Sequence, residues 1–405
     1  MNHWVELDKR YFMDTGHRRL GVTLVRGEGV RVWDDAGKEY LDFIAGWAAC
    51  SLGHCHPIVI EALREQSSRL ILAGLDVYTT PQIELAELLI STSGMAKVFV
   101  CNSGAEANEG AVKLARKYGK LHLNGAYEVI SALKSFHGRT LAMVAATGKP
   151  EYQATFTPLP EGFVNVPYND ISALRTAIRD RTCAILLEPI QGEGGVNVPP
   201  ERYLREVRAL CDERGILLIL DEVQTGCGRT GTLWAHEHSG IRPDIMTVGK
   251  GLGGGVPIAA FLANERAACF GPGDHGSTYG GNPLCSTVAT AVLRFIIKED
   301  VIGNAECVGR YFRARLLALQ EKWDMVKEVR GRGLLLAIEF TKPVALGMAR
   351  VCRDQGLLVN PLPPQTIRFI PPLIITTQDV DQAMVILESA IGQIAQVTAS
   401  SEGTR

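Results

Sequence analysis

The sequence lacks the features that mark several large protein classes. Its charges nearly cancel, with 42 basic and 44 acidic residues in 405, so no charge excess favours nucleic acid or an anionic membrane as a partner. No apolar run approaches the length of a bilayer span, and the first residues lack the apolar segment of a secretory signal. The ten cysteines are scattered singly, without the CxxC pairs of a zinc site. We therefore expect a cytoplasmic enzyme with reduced thiols and no nucleic-acid or membrane partner.

One short segment does crowd potential metal ligands together. GWAACSLGHCHP contains Cys50, His54, Cys55 and His56. A metal site is one interpretation, but two of these residues are adjacent, and no second ligand pair follows at a usual spacing. The sequence therefore predicts no metal.

Three apolar runs between residues 183 and 257 each end on a polar residue, namely Glu188, Asp221 and Lys250. Aliphatic runs bounded by glycine and proline predict strands buried on both faces. The first two are separated by a helical pattern with proline at its start and glycine at its end, which predicts a βαβ unit. Because parallel strands bring ligand-binding groups together at their carboxyl ends, a carboxylate and a lysine 29 residues apart indicate a small-molecule active site.

A second stretch, CNSGAEANE at residues 101–109, predicts a strand leading into a helix. Ser103 is a suitable N-cap, and Glu106 three residues later completes a capping box. Gly104 and Ala105 leave the amides of the first turn open, as in phosphate-binding helix N-termini. An ordinary capped helix accounts for the same residues equally well.

The loop FHGR at residues 136–139 follows another predicted strand. Phe136 could stack on a flat ring, and Arg139 could hold a carboxylate. Taken alone, a loop arginine is more often a solvated surface charge.

The segment GKGLGG at residues 249–254 admits several interpretations. It has the spacing of a dinucleotide site, but a strand-like stretch follows where a helix is needed, and Gly251 replaces the Ser or Thr of a P-loop. A lysine partly removed from water favours its neutral amine, which can form a Schiff base. Pyridoxal phosphate needs such a lysine and an acid beside its pyridine nitrogen, and Asp221 suits that role. A purely structural Asp221–Lys250 salt bridge is the alternative, but it leaves the glycines without a role.

Together these motifs carry a family resemblance. Over essentially its whole length, the sequence resembles the class III pyridoxal-phosphate aminotransferases of fold type I. The motifs are CNSGAEANE (101–109), FHGRT (136–140), EPIQGEGG (188–195), LDEVQTGCGRTG (220–231), VGKGLGGGVPI (248–258) and HGSTYGGNPL (275–284). Within the class, GLLVN (356–360) and TIRFIPPLIIT (366–376) are most similar to the acetylornithine aminotransferases. Cys227 and Asp76 depart from the usual pattern, and Asp76 leaves fine substrate choice open.

The resemblance implies a role for each site residue. Lys250 would form the Schiff base and shuttle the proton, Asp221 would pair with the pyridine nitrogen, and Gln224 would contact the phenolic oxygen. The other implied cofactor contacts are Ser103, Gly104 and Ala105 at the phosphate, Thr278 from a second subunit, Phe136 on the ring and Glu188 beside the pocket. The implied substrate contacts are Arg139 at the distant carboxylate, Arg368 at the α-carboxylate of glutamate, Glu193 as the mask of that arginine, and Ser277.

The resemblance also implies the architecture and the reaction. We expect an α/β protein with an N-terminal arm and hairpin (1–48), a large domain with a mostly parallel sheet (49–285) and a small α+β domain (286–405). The implied reaction moves the δ-amino group of N2-acetylornithine to 2-oxoglutarate in a homodimer with shared active sites. Ornithine, succinylornithine and 4-aminobutyrate are rival substrates, since enzymes acting on them share every cofactor residue. A nicotinamide-dependent oxidoreductase and a non-catalytic binding protein are the alternatives outside the class.

Overall fold

The structure is a computed structural model, and it describes residues 3–16 and 20–402. Its strands are β1 (Leu24–Glu28), β2 (Arg31–Asp34), β3 (Glu39–Asp42), β4 (Lys97–Cys101), β5 (Glu128–Ala132), β6 (Phe163–Val166), β7 (Thr182–Leu187), β8 (Leu217–Asp221), β9 (Ile245–Val248), β10 (Ala259–Ala263), β11 (Val326–Arg332), β12 (Leu335–Phe340), β13 (Leu357–Leu358), β14 (Asn360–Leu362) and β15 (Thr366–Phe369). Its helices are α1 (His3–Tyr11), α2 (Ala45–Ala48), α3 (Pro57–Ser67), α4 (Thr80–Ser93), α5 (Gly104–His122), α6 (Leu141–Ala146), α7 (Pro150–Thr155), α8 (Ile171–Ala177), α9 (Glu201–Arg214), α10 (Pro283–Lys298), α11 (Val301–Lys322), α12 (Ala345–Asp354) and α13 (Thr377–Glu402).

The central sheet confirms the predicted α/β architecture. Its strand order is β4-β10-β9-β8-β7-β5-β6, with β5 to β9 parallel and β10 antiparallel to both of its neighbours. Every residue of β7, β8 and β9 is buried, because α5 packs against one face of the sheet and α9 packs against the other. Parallel alignment therefore places the residues that follow these strands at one edge of the sheet.

A second sheet, called here the C-terminal sheet, is antiparallel with the order β11-β12-β15-β14. The sequence-based interpretation missed β11, because most of its residues are charged and its two valines, at positions 326 and 329, lack the period of two that marks a strand. The predicted N-terminal hairpin is present as β2 and β3, with β1 beside it. Strand β13 joins β3 in parallel, so the hairpin is attached to the C-terminal part of the chain. The domain boundaries stay a prediction.

Among the described residues, no helix has both the length and the apolar composition that a membrane span requires. The same residues contain no group of three or more His, Cys, Asp or Glu side chains that could hold a metal ion. In the crowded segment, His54 instead pairs with a carboxylate, with 2.7 Å between its Nε2 and Asp42 Oδ2.

Candidate active site

Asp221 lies at the edge of the central sheet and has hydrogen-bond partners at both of its carboxylate oxygens. It ends β8 with only 4% of its surface exposed. Its Oδ2 accepts a hydrogen bond from Asn108 Nδ2 at 2.7 Å and lies 2.8 Å from His137 Nδ1, while Oδ1 accepts from the backbone N–H of Val223 at 3.0 Å. Thr247 donates to Asn108 Oδ1 at 2.8 Å and fixes the amide orientation. Sequence reasoning missed Asn108 and Thr247, although a polar residue on the buried face of a helix was an available signal.

Lys250 lies at the neighbouring strand end, separated from β9 by Gly249. It starts a short 3-10 turn with a backbone φ of 42°, a left-handed conformation that is strained for a non-glycine residue. Ser51 Oγ holds this turn by donating to the Gly251 carbonyl at 2.8 Å, and the buried Cys227 packs beneath it. Burial lowers the pKa of the Lys250 amine, although the nearby Glu193 carboxylate opposes that shift. A lysine in this environment has more of the neutral, nucleophilic amine.

Glu188 follows β7 at the same edge. Its carboxylate accepts hydrogen bonds from the backbone N–H groups of Phe136 at 3.0 Å and Gly192 at 3.1 Å. Burial raises the pKa of Glu188 to about 7, with Asp221 adding to the effect and His137 opposing it. The side chain thus joins the loop that carries Phe136 to the segment that carries Glu193.

The raised pKa of Glu188 predicts a pH-dependent stability. The folded state binds the Glu188 carboxyl proton more tightly than the unfolded state does. The resulting contribution to the free energy of unfolding is present below the ordinary pKa of 4.5 and is lost as pH rises through about 7. In the cofactor-free protein, Glu188→Gln mimics the protonated carboxyl. The urea concentration at the unfolding midpoint should therefore fall less between pH 4.5 and 8 in this variant than in the wild type. Exposed Glu201→Gln serves as the control. Equal pH profiles for the wild type and the Glu188→Gln variant would contradict the prediction.

The start of α5 carries the helix cap that the sequence predicts, and its role as an anion site stays a prediction. Ser103 caps the helix by accepting from the Glu106 N–H at 3.3 Å. The Glu106 carboxylate bonds the N–H of Asn102 at 2.7 Å, one residue before the position that the capping box predicts. A Cβ on Gly104 would lie 2.7 Å from Val223 Cγ1, so the helix start packs directly against the loop after β8. The amides of Gly104 and Ala105 have no intrahelical acceptor.

Glu193 and Arg368 form an ion pair near Lys250. Arg368 Nη2 lies 2.7 Å from Glu193 Oε1, and the arginine side chain is fully buried. Arg368 also donates from Nη1 to Gln224 Oε1 at 2.9 Å and from Nη2 to Asn360 Oδ1 at 2.7 Å. Burial opposes ionisation of Glu193, but the positive charges of Arg368 and Lys250 lower its pKa to about 2. The arginine is therefore held by a carboxylate that stays charged.

Three of the predicted residues lie at the margin of this group. Arg139 is exposed, with its guanidinium 4.2 Å from the Tyr152 ring centre and 5.3 Å from that of Phe136. Ser277 Oγ accepts from Asn102 Nδ2 at 3.2 Å, which places its loop near the start of α5. Thr278 is exposed, and its predicted role concerns a second copy of the chain. The other predicted site residues converge on the edge of the central sheet.

A left-handed turn borders the site and was not expected from the sequence. All four residues of α2 have positive φ angles, from 48° to 69°. Such a conformation costs about 1–2 kcal/mol for each non-glycine residue. Ala48 ends the turn, and its carbonyl would lie 3.8 Å from a Cβ on Gly251, so the strained segment packs against the lysine turn.

Comparison with known proteins identifies the family. Residues 12–391 match the model of the family described as aminotransferase class-III. The chain is a class-III aminotransferase. This aminotransferase is 48% identical over 391 residues to the acetylornithine aminotransferase of Caldanaerobacter subterraneus subsp. tengcongensis, covering 96% of this chain and 99% of that one. It is 47% identical over 397 residues to the acetylornithine aminotransferase of Methanocaldococcus jannaschii, covering 97% and 98%.

Solved structures resemble the aminotransferase in fold as well. The ornithine aminotransferase of Toxoplasma gondii ME49 matches with a TM-score of 0.93 at 36% identity, covering 97% of this chain and 95% of that one. The acetylornithine aminotransferase of Elizabethkingia anophelis matches with a TM-score of 0.86 at 39% identity, covering 96% and 98%. These similarities confirm the predicted class III resemblance and the fold-type I architecture.

Proposed function

We propose that this aminotransferase uses pyridoxal 5'-phosphate to move the δ-amino group of N2-acetylornithine to 2-oxoglutarate. The products are N-acetylglutamate 5-semialdehyde and glutamate, in a step of arginine synthesis. The carrying observation is the 2.7 Å ion pair between Glu193 and Arg368 beside Lys250. The acetylornithine aminotransferases at 47–48% identity support this choice of amine.

The residues of the site fit the cofactor. Among the described residues, no lysine or arginine forms an ion pair with the buried Asp221 carboxylate, which leaves it suited to a protonated ring nitrogen. The open amides at Gly104 and Ala105 suit the phosphate. When bound, pyridoxal phosphate supplies an electron sink for negative charge at the reacting carbon.

Each side chain then has a defined task. Lys250 holds the cofactor through its amine and moves the proton at the reacting carbon. Asp221 keeps the ring nitrogen protonated, held in place by Asn108 and His137. Gln224 uses its Oε1 to accept from Arg368, which leaves its Nε2 to donate to the phenolic oxygen. The proposed contacts completing the pocket are Ser103 at the phosphate, Phe136 on the ring face, Glu188 behind it and Ser277 at the substrate entrance.

The pair of Glu193 and Arg368 explains how one site accepts two different substrates. Glutamate carries a carboxylate on its reacting carbon and needs Arg368 free. The ω-amine substrate has none there, and an unpaired buried arginine would be unfavourable, so Glu193 neutralises it. Arg139 binds the carboxylate at the far end of either substrate.

Arg139→Ala should lower kcat/KM for both substrates. The lost charge-paired hydrogen bonds correspond to roughly 2–4 kcal/mol of the activation free energy behind kcat/KM, for acetylornithine and for glutamate alike. Steady-state kinetics with each substrate measures this, and Arg175→Ala, at a surface ion pair with Glu213, is the matched control. A loss confined to one substrate would mean that Arg139 does not bind the shared carboxylate.

We further propose a homodimer in which Thr278 of one subunit contacts the phosphate bound by the other. Thr278 is exposed beside Tyr279, which is 63% exposed. The nearby segment 70–78 is also rich in exposed apolar side chains, which monomeric proteins rarely leave uncovered: Leu70, Ile71, Leu72, Leu75, Val77 and Tyr78. Sedimentation equilibrium tests this, and a monomeric active enzyme would refute it. The cytoplasmic location stays a prediction from the sequence.

The amine substrate can be tested in one half-reaction without a keto acid. The purified holoenzyme is mixed separately with acetylornithine, ornithine, succinylornithine and 4-aminobutyrate, and the decay of the visible absorption of the bound cofactor is followed. The fastest decay is expected with acetylornithine. Faster decay with another amine would assign the chain a different substrate. The absence of a cofactor band would refute the proposal that the enzyme uses pyridoxal phosphate.

A further inference from the structure

One turn of the chain carries Glu193 and is held by two arginines of the same sheet. This turn, the Glu193 turn, comprises residues 191–197 and closes through paired hydrogen bonds between Gln191 and Asn197 at 3.1 and 3.0 Å. Arg368 contacts a side chain of the turn, since its guanidinium pairs with Glu193 Oε1. Arg330 contacts the backbone of the turn, since the Nε of Arg330 donates to the Gly195 carbonyl at 2.8 Å.

The register of the C-terminal sheet explains why both arginines reach the same turn. Arg330 on β11 lies opposite Ala337 on β12, and Ala337 lies opposite Arg368 on β15. Directly opposed residues of an antiparallel sheet share a face, so both arginines project from one face two strands apart. The small side chain of Ala337 separates them.

Arg330 is itself firmly held. Its Nη1 lies 2.6 Å from Glu339 Oε2 and 2.8 Å from Glu328 Oε2, and its side chain is 14% exposed. A planar guanidinium can donate in several fixed directions at once, so these carboxylates orient Nε toward the turn. Gly195 permits the close approach, because it has a φ of +117° and a Cβ there would lie 3.2 Å from Arg330 Nη2.

We propose that Arg330 is a positioning residue that sets the substrate balance of the enzyme by fixing the Glu193 turn against Arg368. This inference rests on the proposed function, because it concerns how strongly Glu193 masks Arg368. The hydrogen bond to Gly195 lies only two residues from Glu193. Without it, the backbone of the turn loses a hydrogen bond to the sheet that carries Arg368, and the buried packing of Val196 in a cluster with Ala337 remains. The masked arrangement, which the ω-amine substrate needs, is then disfavoured relative to the unmasked one, which glutamate needs.

Arg330→Met removes the donor while keeping most of the side-chain volume. We expect the ratio of kcat/KM for glutamate to kcat/KM for acetylornithine, measured in separate half-reactions, to rise about tenfold, the scale of one hydrogen bond to a charged group. Lys327→Met is the matched control, because Lys327 lies on the same strand and binds Glu339 at 2.6 Å without touching the turn. Arg330→Lys should lie between the wild type and Arg330→Met. An equal loss in both half-reactions would show a merely structural role and overturn the proposal.

Two further measurements separate this inference from the choice of amine. In a Glu193→Gln background, Arg330→Met should leave the substrate ratio unchanged, and a further tenfold change there would refute the proposal. A crystal structure of Arg330→Met should show Glu193 Oε1 displaced from its 2.7 Å contact with Arg368 Nη2. An unchanged contact would overturn the proposal whatever amine the enzyme uses. If another ω-amine proves to be the substrate, the same ratio is measured with it.

Discussion

We expect Lys250→Ala to abolish turnover, with activity below detection for every amine substrate. Lys250 follows β9 at the edge of the sheet where Asp221 and Glu188 lie. The lowered pKa of its amine suits Lys250 to the proposed roles of nucleophile and base. The measurement is a single turnover with acetylornithine and, separately, with glutamate, together with the visible spectrum of the bound cofactor. The variant should lose the band that borohydride bleaches in the wild type.

The exposed Lys120→Ala variant is the matched control for this experiment and should retain wild-type rates. The cofactor content of the Lys250→Ala protein is measured after dialysis, so that loss of chemistry is distinguished from loss of binding. Normal turnover by Lys250→Ala would refute the mechanism. It would also leave the strained φ of 42° at this residue without a functional reason.

Asp221→Asn should lower kcat by orders of magnitude while some cofactor remains bound. The asparagine keeps the volume but loses the charge that holds the ring nitrogen protonated. The structure adds a second reason. Asn108 Nδ2 donates to Asp221 Oδ2 at 2.7 Å, and His137 Nδ1 lies 2.8 Å from the same oxygen, so an amide nitrogen placed there would face a donor that requires an acceptor.

The test compares kcat and the cofactor dissociation constant for Asp221→Asn, with the exposed Asp180→Asn as control. Asn108→Ala is an informative companion, because it removes one donor to Asp221 and should produce a smaller loss in the same direction. A kcat for Asp221→Asn within tenfold of the wild type would show that the carboxylate does not control the ring nitrogen.

The strands of the central sheet could be predicted because their burial leaves a strong pattern in the sequence. The runs that became β7, β8 and β9 are largely apolar, as strands covered on both faces must be. Parallel alignment then requires the polar residues after them to meet at one edge, which brought Glu188, Asp221 and Lys250 together. The helix cap at Ser103 is equally local, since its partner lies three residues away.

The elements that were missed depend on contacts distant in sequence. Strand β11 is a charged edge strand without a pattern of period two, and its pairing with β12 is what makes it a strand. The support of Asp221 by Asn108 joins residues 113 apart, and the contact of Arg330 with Gly195 joins residues 135 apart. The strained turn at α2 persists because its surroundings hold it, not because its sequence prefers it.

The sequence by itself indicated the class of chemistry, because a lysine and an acid after two buried strands, with a glycine-opened helix start, are local patterns, and the longer motifs that contain them resemble the class III aminotransferases. The tertiary structure decided which side chains meet, including the Glu193–Arg368 pair that the resemblance had implied. Only the folded chain joins Glu193 to Arg368 across 175 residues and attaches the Glu193 turn to Arg330. Ion pairs and hydrogen bonds of this kind act over a few ångströms, and the packing of two sheets, rather than any run of residues, brings their partners within that range.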